Sequence, residues 1–127
     1  TAHGCLWTFT SHGPGLDLVA PGGGSDAPFP GDARCDPDDD TLPDITQITL
    51  RNDGGFGPSR GYRGSSMAAA HVSAAAALVI ASRTLGRTPS PAAVERRLER
   101  TARDLGAPGP DTRYGHGLLD AAAATAP

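Results

Sequence analysis

The sequence predicts an α/β fold, and specifically one end of a sheet domain rather than a complete one. Three observations support this prediction. Segments with strand-like alternation or β-branched residues come first, apolar or amphipathic segments with helix-capping residues come last, and a loop rich in Gly, Pro and Asp lies between them. With 127 residues and no internal repeat, the chain has the length of one domain with a modest core.

The predicted strands occupy residues 6–10, 16–20 and 45–50. The first alternates apolar and other side chains, and the second is stopped by Pro21 and Gly22. The loop between the second and third strands is longer than structureless loops usually are, which is typical of an insertion.

The central prediction is a long apolar helix over residues 65–81. Ser65 and Ser66 are residues that start helices, and beyond them only His71 and Ser73 interrupt the apolar run. A helix that is apolar nearly all round is expected to be buried, and its apolar run of about 15 residues is shorter than a membrane span. The free N–H groups at its N-terminus suit a serine nucleophile there.

Two further helices follow the central one. Ser90 and Pro91 start the first of them, which we expect to end at Gly106. Apolar side chains recur on one of its faces and charged side chains on the other, as in an amphipathic helix. Residues 118–125 predict a short third helix.

Composition narrows the classes of partner. The net charge of −3 gives no indication of nucleic acid or an anionic membrane as partner. Cys5 and Cys35 are compatible with one disulfide in a secreted protein or with two separate thiols. The chain begins at Thr1 and has Met67 as its only methionine, so we expect a fragment or a processed product.

Three motifs resemble a known family. Residues 64–72, GSSMAAAHV, resemble the nucleophile motif G-T-S-M-A-x-P-H-V of the subtilisin-like serine proteases, the subtilase family. Residues 16–22 are similar to the family's D-x-x-A-P-G strand end, and residues 114–121 to its closing Y-G-x-G-x-x-[DN]-x segment. The three segments occur in the family's order along the chain.

The resemblance implies a fold and a site. Residues 1–127 would be the C-terminal part of a subtilisin-like three-layer catalytic domain, with a mostly parallel sheet, a buried central nucleophile helix and a loop insertion at residues 23–63. Ser66 would be the acylating nucleophile of a serine-type endopeptidase, and its backbone N–H an oxyanion donor. The family's triad order is Asp, His, Ser, and no Asp or His motif of the family's type precedes the strand at residues 16–20. We therefore expect the isolated fragment to be inactive.

The resemblance also implies partners and a location. The partners would be a polypeptide substrate and the missing N-terminal part of the same domain, with no nucleic acid and no membrane. No cofactor is required, although structural calcium is compatible with the family. The family resemblance and the two cysteines together predict a secreted, extracellular protein.

Other polar residues are interpreted as structural. His71 lies about 140° around the helix from Ser66, so we interpret it as a buried, hydrogen-bonded packing residue rather than the general base. The same structural interpretation applies to the other histidines, to one strand aspartate and to the only asparagine, namely His3, His12, His116, Asp17 and Asn52.

The acidic loop is a second candidate site. Asp36, Asp38 and Asp40 are weak candidate metal ligands, because carboxylate oxygens are the ligands that calcium prefers. Asp32, Asp39 and Asp44 lie in the same segment, but the spacing is not that of a calcium-loop motif. A solvated acidic insertion is the alternative interpretation.

The alternative function is a catalytically dead subtilase-like module with a binding or structural role, and stabilisation by calcium is compatible with this alternative. Two departures from the family pattern support it, Ala70 in place of Pro and Ala74 in place of Gly, together with the missing triad partners. A third departure, Ser65 in place of Thr, keeps the hydroxyl group.

Overall fold

A computed structural model describes residues 1–28, 34–39 and 43–127. Its elements in chain order are the strands β1 (Ile45–Leu50) and β2 (Phe56–Tyr62) and the helices α1 (Ser65–Ser82), α2 (Pro91–Thr101) and α3 (Ala121–Thr125). The chain divides into two compact units. The first unit comprises Thr1–Thr10 and Pro21–Met67, and the second comprises Ser11–Ala20 and Ala68–Pro127.

The predicted strand at residues 45–50 is confirmed as β1. It pairs with β2 in an antiparallel hairpin, in which Leu50 lies opposite Phe56 and Ile45 opposite Tyr62. Strands joined by so short a turn pair antiparallel, whereas parallel neighbours need a crossover of a dozen or more residues. Among the described residues the sheet is this two-stranded hairpin, so the mostly parallel sheet is not confirmed.

The other two predicted strands do not form as continuous strands. In the segment at residues 6–10, Trp7 makes one isolated antiparallel bridge to Asp26. In the segment at residues 16–20, Leu18 bridges Gly115 antiparallel and Val19 bridges Leu118 parallel. The alternation in sequence is real, but a strand forms only where a neighbouring backbone runs alongside for several residues.

Three links hold the N-terminal segment of the first unit. Cys5 and Cys35 form a disulfide with their Cα atoms 5.8 Å apart, so the disulfide alternative is the one observed. The carboxylate of Asp26, fully buried, accepts hydrogen bonds through Oδ2 from His3 Nδ1 at 2.7 Å and from the Asp36 N–H at 2.8 Å. By the entropy of closing a loop of this length, the disulfide contributes about 3–4 kcal/mol.

The second unit has a small core formed by all three helices. Its buried members are Ala75 and Val79 of α1, Val94 and Leu98 of α2, and Ala124 of α3. Partly buried side chains, among them Leu18, Val72, Leu85 and Leu119, pack around this cluster.

The prediction that α1 is a buried helix is wrong for this chain. Only Ala75 and Val79 of its 18 residues are buried, while Leu78 and Ile80 are 52% and 48% exposed. The reason is that α2 and α3 pack on one stripe of the helix. Helix α1 is also longer than the apolar run of about 15 residues in the sequence, and at 18 residues it is long and apolar enough to cross a membrane by length and composition. Core helices of soluble proteins pass the same test, so it is weak evidence for a span.

The predicted start of α2 is confirmed, but its predicted end is wrong. Ser90 Oγ accepts a hydrogen bond from the Ala93 N–H, and Pro91 is the first helical residue. The helix ends at Thr101 rather than at Gly106, because Arg103 leaves it to exchange two backbone hydrogen bonds of 2.8 Å with Leu118.

The third helix is shorter than predicted for the same reason. Leu118 and Leu119 are engaged in backbone pairing, the latter through its N–H to the Val19 carbonyl at 2.8 Å. The helix therefore begins only at Ala121, where Asp120 Oδ1 caps the Ala123 N–H at 2.8 Å.

Acid should destabilise the first unit through Asp26. Burial by itself raises the pKa of this carboxyl group, but hydrogen bonds from Thr1, His3 and the Asp36 backbone outweigh it, so the pKa is lowered. A lowered folded-state pKa gives a stabilisation that is present above the unfolded-state value and lost as pH falls through the folded-state value. Urea unfolding of the full natural protein should show a loss of stability below about pH 4 that Asp26→Asn removes.

The matched control for this prediction is Asp53→Asn. Asp53 is exposed and pairs with exposed Arg51 at 3.3 Å, an interaction of little value in water. Asp26→Asn should lower the free energy of unfolding at pH 7 and remove most of its fall below about pH 4, whereas Asp53→Asn should change neither. The expectation is contradicted if wild type and Asp26→Asn lose the same free energy of unfolding as the pH falls below about 4.

Val79→Ala should destabilise the second unit by about 1–3 kcal/mol. Val79 is fully buried in the cluster with Val94 and Leu98, so its truncation leaves a cavity. Its neighbour on α1, Leu78, is 52% exposed, and Leu78→Ala should cost less than about 1 kcal/mol. Chemical unfolding of the two variants measures the difference, and equal effects would show that this cluster is not the core.

Candidate active site

The turn that opens α1 depends on Gly64. Its φ of +131° lies in a region that side chains rarely adopt, which explains the glycine. Its N–H donates to the Gly22 carbonyl at 2.7 Å, and its own carbonyl accepts from the Met67 N–H at 3.0 Å. These bonds, all within the first unit, define the backbone path into the helix.

Ser66 is the second residue of α1 and is exposed. The first N–H groups of a helix have no partner within it and lie at the positive end of the helix dipole. Among the described residues no hydrogen bond engages the Ser66 N–H. Ser66 thus combines an accessible hydroxyl with a backbone N–H that has no partner in the described part of the chain, which is what acyl transfer requires of a nucleophile and an oxyanion donor.

Trp7 lies beside this turn, a position that was not foreseen from the sequence. A Cβ atom added to Gly64 would lie 3.6 Å from Cζ3 of the indole, and one added to Gly24 would lie 2.5 Å from Nε1. The indole also meets the ring of Phe9 edge-on, with centroids 5.1 Å apart. The only signal in sequence was a lone tryptophan in a chain with closely spaced glycines, which does not specify their contact.

The four histidines have distinct surroundings. His71 lies on α1 and is exposed, so the prediction of a buried packing residue is wrong. The reason is the incomplete burial of α1 itself. His3 is hydrogen-bonded to Asp26, His116 Nε2 lies 4.0 Å from Glu99, and His12 is exposed just before the turn at residues 13–15.

The weak metal candidates do not cluster in the described residues. Asp36 Oδ1 accepts a hydrogen bond from the Asp38 N–H at 3.0 Å, which is a local turn, and Asp40 lies outside the described residues. Neither Asp36 nor Asp38 belongs to a described group of three or more possible ligands. Asp44 from the same segment instead accepts from the Gly24 N–H at 3.2 Å and from Arg63 at 2.7 Å.

Two groups of possible ligand atoms do occur among the described residues. In one, Asp26 lies near Cys5 and Cys35, whose sulfurs are already joined to each other. The other consists of carboxylates at the surface, namely Asp17, Glu95 and Glu99. Neither group was foreseen from sequence, because its members lie far apart along the chain.

The second and third motifs pair with each other in the second unit. The Val19 N–H donates to the Gly117 carbonyl at 2.9 Å, and the His116 N–H donates to the Asp17 carbonyl at 2.7 Å. A side chain at Gly117 would overlap the backbone of Arg103, which explains the glycine. The motifs are nearly 100 residues apart in sequence, and their pairing requires both to keep their backbone geometry.

Asp111 organises the turn before the third motif and was also missed from sequence. Its Oδ1 accepts from the N–H groups of Arg113 at 2.7 Å and Tyr114 at 2.8 Å, and its Oδ2 from Ala107 at 3.1 Å. Desolvation raises the pKa of this carboxyl group, but the three backbone hydrogen bonds outweigh it and lower the pKa. An Asp at the start of a turn is the signal that could have identified it.

Gly117→Ala should destabilise the second unit by at least about 2 kcal/mol. The φ of +114° and the overlap with Arg103 both oppose a Cβ atom. Gly109→Ala is the control, because Gly109 has a φ of +80° with open space around it, and backbone strain alone should cost about 1 kcal/mol. Thermal unfolding of the two variants tests whether the close approach, beyond the backbone angle, sets the requirement.

Comparison with known proteins gives one family match. The sequence model described as the subtilase family matches residues 2–117. Among solved structures, the crystal structure of a lanthipeptide protease matches with 42% sequence identity and a TM-score of 0.49, over 57% of this chain and 22% of that one. The chain thus spans about a fifth of the length of that solved protein. No curated protein matches the chain significantly.

Proposed function

The chain belongs to the subtilase family, and from this premise we propose that it carries Ser66 as the nucleophile of a serine-type endopeptidase. The observation that carries the proposal is the position of Ser66. It stands in the segment GSSMAAAHV inside the matched region, and it is the exposed second residue of α1. A hydroxyl there stands beside free N–H groups at the positive end of a helix.

The proposed chemistry proceeds in two stages. Ser66 Oγ attacks the carbonyl carbon of the scissile peptide bond while a general base removes its proton, and the Ser66 N–H donates to the oxyanion that forms. The C–N bond then breaks, the leaving amine takes the proton from the base, and an acyl-enzyme ester remains on Ser66. Water, activated by the same base, hydrolyses the ester and restores the hydroxyl.

The general base and its carboxylate partner are proposed to come from another stretch of polypeptide. In this family the triad order is Asp, His, Ser, and the nucleophile motif comes last. We therefore propose that residues 1–127 form the C-terminal part of the catalytic domain, with residues 23–63 as an insertion. The N-terminal part of that domain is the proposed partner, and the isolated 127 residues are proposed to be inactive.

The proposed location is extracellular, and the proposed substrate is a polypeptide. The disulfide between Cys5 and Cys35 supports the location, because such bonds persist in oxidising compartments. No cofactor is required by the proposed chemistry. Structural calcium at Asp36, Asp38 and Asp40 remains a proposal, and calorimetric titration of the full natural protein with calcium tests it.

Ser66→Ala should abolish covalent labelling of the full natural protein by a fluorophosphonate probe. The probe reacts with an activated serine hydroxyl, which the variant lacks. Ser65→Ala is the matched control, since it removes the neighbouring hydroxyl in the same helical turn and should leave labelling in place. Mass spectrometry of the labelled peptide locates the adduct.

The outcomes separate the two candidate functions. Labelling that persists in Ser66→Ala contradicts the nucleophile assignment. A folded wild-type protein that takes no label supports the alternative, a catalytically dead module with a binding or structural role. The substitutions Ala70 and Ala74 in the nucleophile helix are the observation that favours this alternative.

A further inference from the structure

The side chain of Trp7 lies against Gly24 and close to Gly64, the glycine of the nucleophile turn. Gly24 leaves room for the indole, because a Cβ atom there would lie 2.5 Å from Nε1. Gly64, two residues before Ser66, would bring a Cβ atom to 3.6 Å from Cζ3, an ordinary packing distance. The indole therefore occupies the space beside the backbone of both glycines, within the first unit.

The backbone around Trp7 is anchored on both sides. Its carbonyl accepts from the Thr10 N–H at 2.8 Å, and the preceding carbonyl, that of Leu6, accepts from the Ala27 N–H at 2.8 Å. Trp7 also bridges Asp26, and the disulfide begins two residues earlier at Cys5. The backbone that carries the indole is therefore held on both sides, so the indole can leave the two glycines only by rotation of its own side chain.

Gly24, against which the indole lies, is linked by hydrogen bonds to the turn that contains Gly64. The Gly24 N–H donates to Asp44 Oδ1 at 3.2 Å, and the same carboxylate pairs through Oδ2 with Arg63 at 2.7 Å. Arg63 immediately precedes Gly64, whose N–H donates to the Gly22 carbonyl at 2.7 Å. Hydrogen bonds thus link the Gly64 turn to the segment that carries Gly24, against which the indole lies.

We propose that Trp7 is a positioning residue for Ser66, holding the Gly64 turn so that the start of α1 has one geometry. The inference rests on the proposed function, because it concerns the placement of the same nucleophile. Catalytic groups must be held to within about 0.5 Å, and a displacement of about 1 Å can cost about 100-fold in rate. Ser66 follows Gly64 by two residues, so a shift of the turn is transmitted to its hydroxyl.

Three variants of the full natural protein test the positioning. Trp7→Ala removes the indole, and Trp7→Phe keeps an aromatic ring. Gly24→Ala leaves the tryptophan in the sequence but places a methyl group where the indole lies. Gly54→Ala is the control for Gly24→Ala, because Gly54 has a φ of +80° against +83° and no atom within 4 Å of its added Cβ. Thermal unfolding confirms that each variant is folded before kinetics are measured.

The expected result is a loss in kcat with little change in KM. Trp7→Ala and Gly24→Ala should each lower kcat, and the rate of fluorophosphonate labelling, by about 10- to 100-fold, with KM within about threefold of wild type. Trp7→Phe should recover most of the rate, and Gly54→Ala should match wild type. A purely structural role for Trp7 would lower the unfolding temperature without moving kcat of the folded enzyme.

Each remaining outcome contradicts or tests either the positioning role of Trp7 or the proposed function. If wild type is labelled and turns over while folded Trp7→Ala or Gly24→Ala keeps its kcat, the positioning role is wrong and the proposed function stands. If the loss is in KM alone, Trp7 contacts substrate and does not position Ser66. If Trp7→Ala does not fold, the kcat values of folded Trp7→Phe and Gly24→Ala test the positioning role in its place. If folded wild type takes no label and shows no turnover, the proposed function falls, and this inference with it.

Discussion

The hydrogen bond from the Gly64 N–H to the Gly22 carbonyl is the contact on which the candidate site depends. It joins residues 42 positions apart in sequence, at 2.7 Å, and its donor is a glycine with a φ of +131°. A side chain at this position would be strained whatever space surrounds it. The helix that carries Ser66 begins at the next residue, so the direction of its first turn follows from this bond.

Glycines occupy two described positions where another part of the chain comes too close for a side chain. Gly24 lies under the indole of Trp7, and Gly117 lies against the backbone of Arg103, in positions where a Cβ atom would overlap its neighbour. Each of these glycines has a positive φ as well. Close approach and backbone conformation thus both favour glycine at these two positions.

Carboxylates organise the irregular parts of the fold. Asp111 accepts from three backbone N–H groups, and Asp26 accepts from the Asp36 N–H and the His3 ring, all in segments that have no regular secondary structure. These hydrogen bonds lower the pKa of both carboxyl groups. Asp44 ties Gly24 to Arg63 in the same way. Acidic residues that in sequence resemble a solvated loop therefore include side chains that hold loops together, because orphaned backbone donors need acceptors.

The sequence by itself determined the local elements and the identity of the nucleophile candidate. The helix start at Ser65, the Ser90 cap with Pro91, and strand β1 could all be predicted, because capping and alternation are properties of neighbouring residues. The placement of Ser66 beside a helix N-terminus followed from the same local signals. The family assignment also rested on short segments that the sequence alone displays.

Only the tertiary structure decided which surfaces are buried and where the elements end. Helix α1 is apolar nearly all round, yet burial depends on what packs against it, and only Ala75 and Val79 are covered. Helix α2 stops at Thr101 because Arg103 pairs with Leu118, a partner that no local signal reveals. The contact between Trp7 and the Gly64 turn is likewise a meeting of distant residues. Such contacts depend on how the whole backbone is arranged, which the pattern of neighbouring residues does not specify.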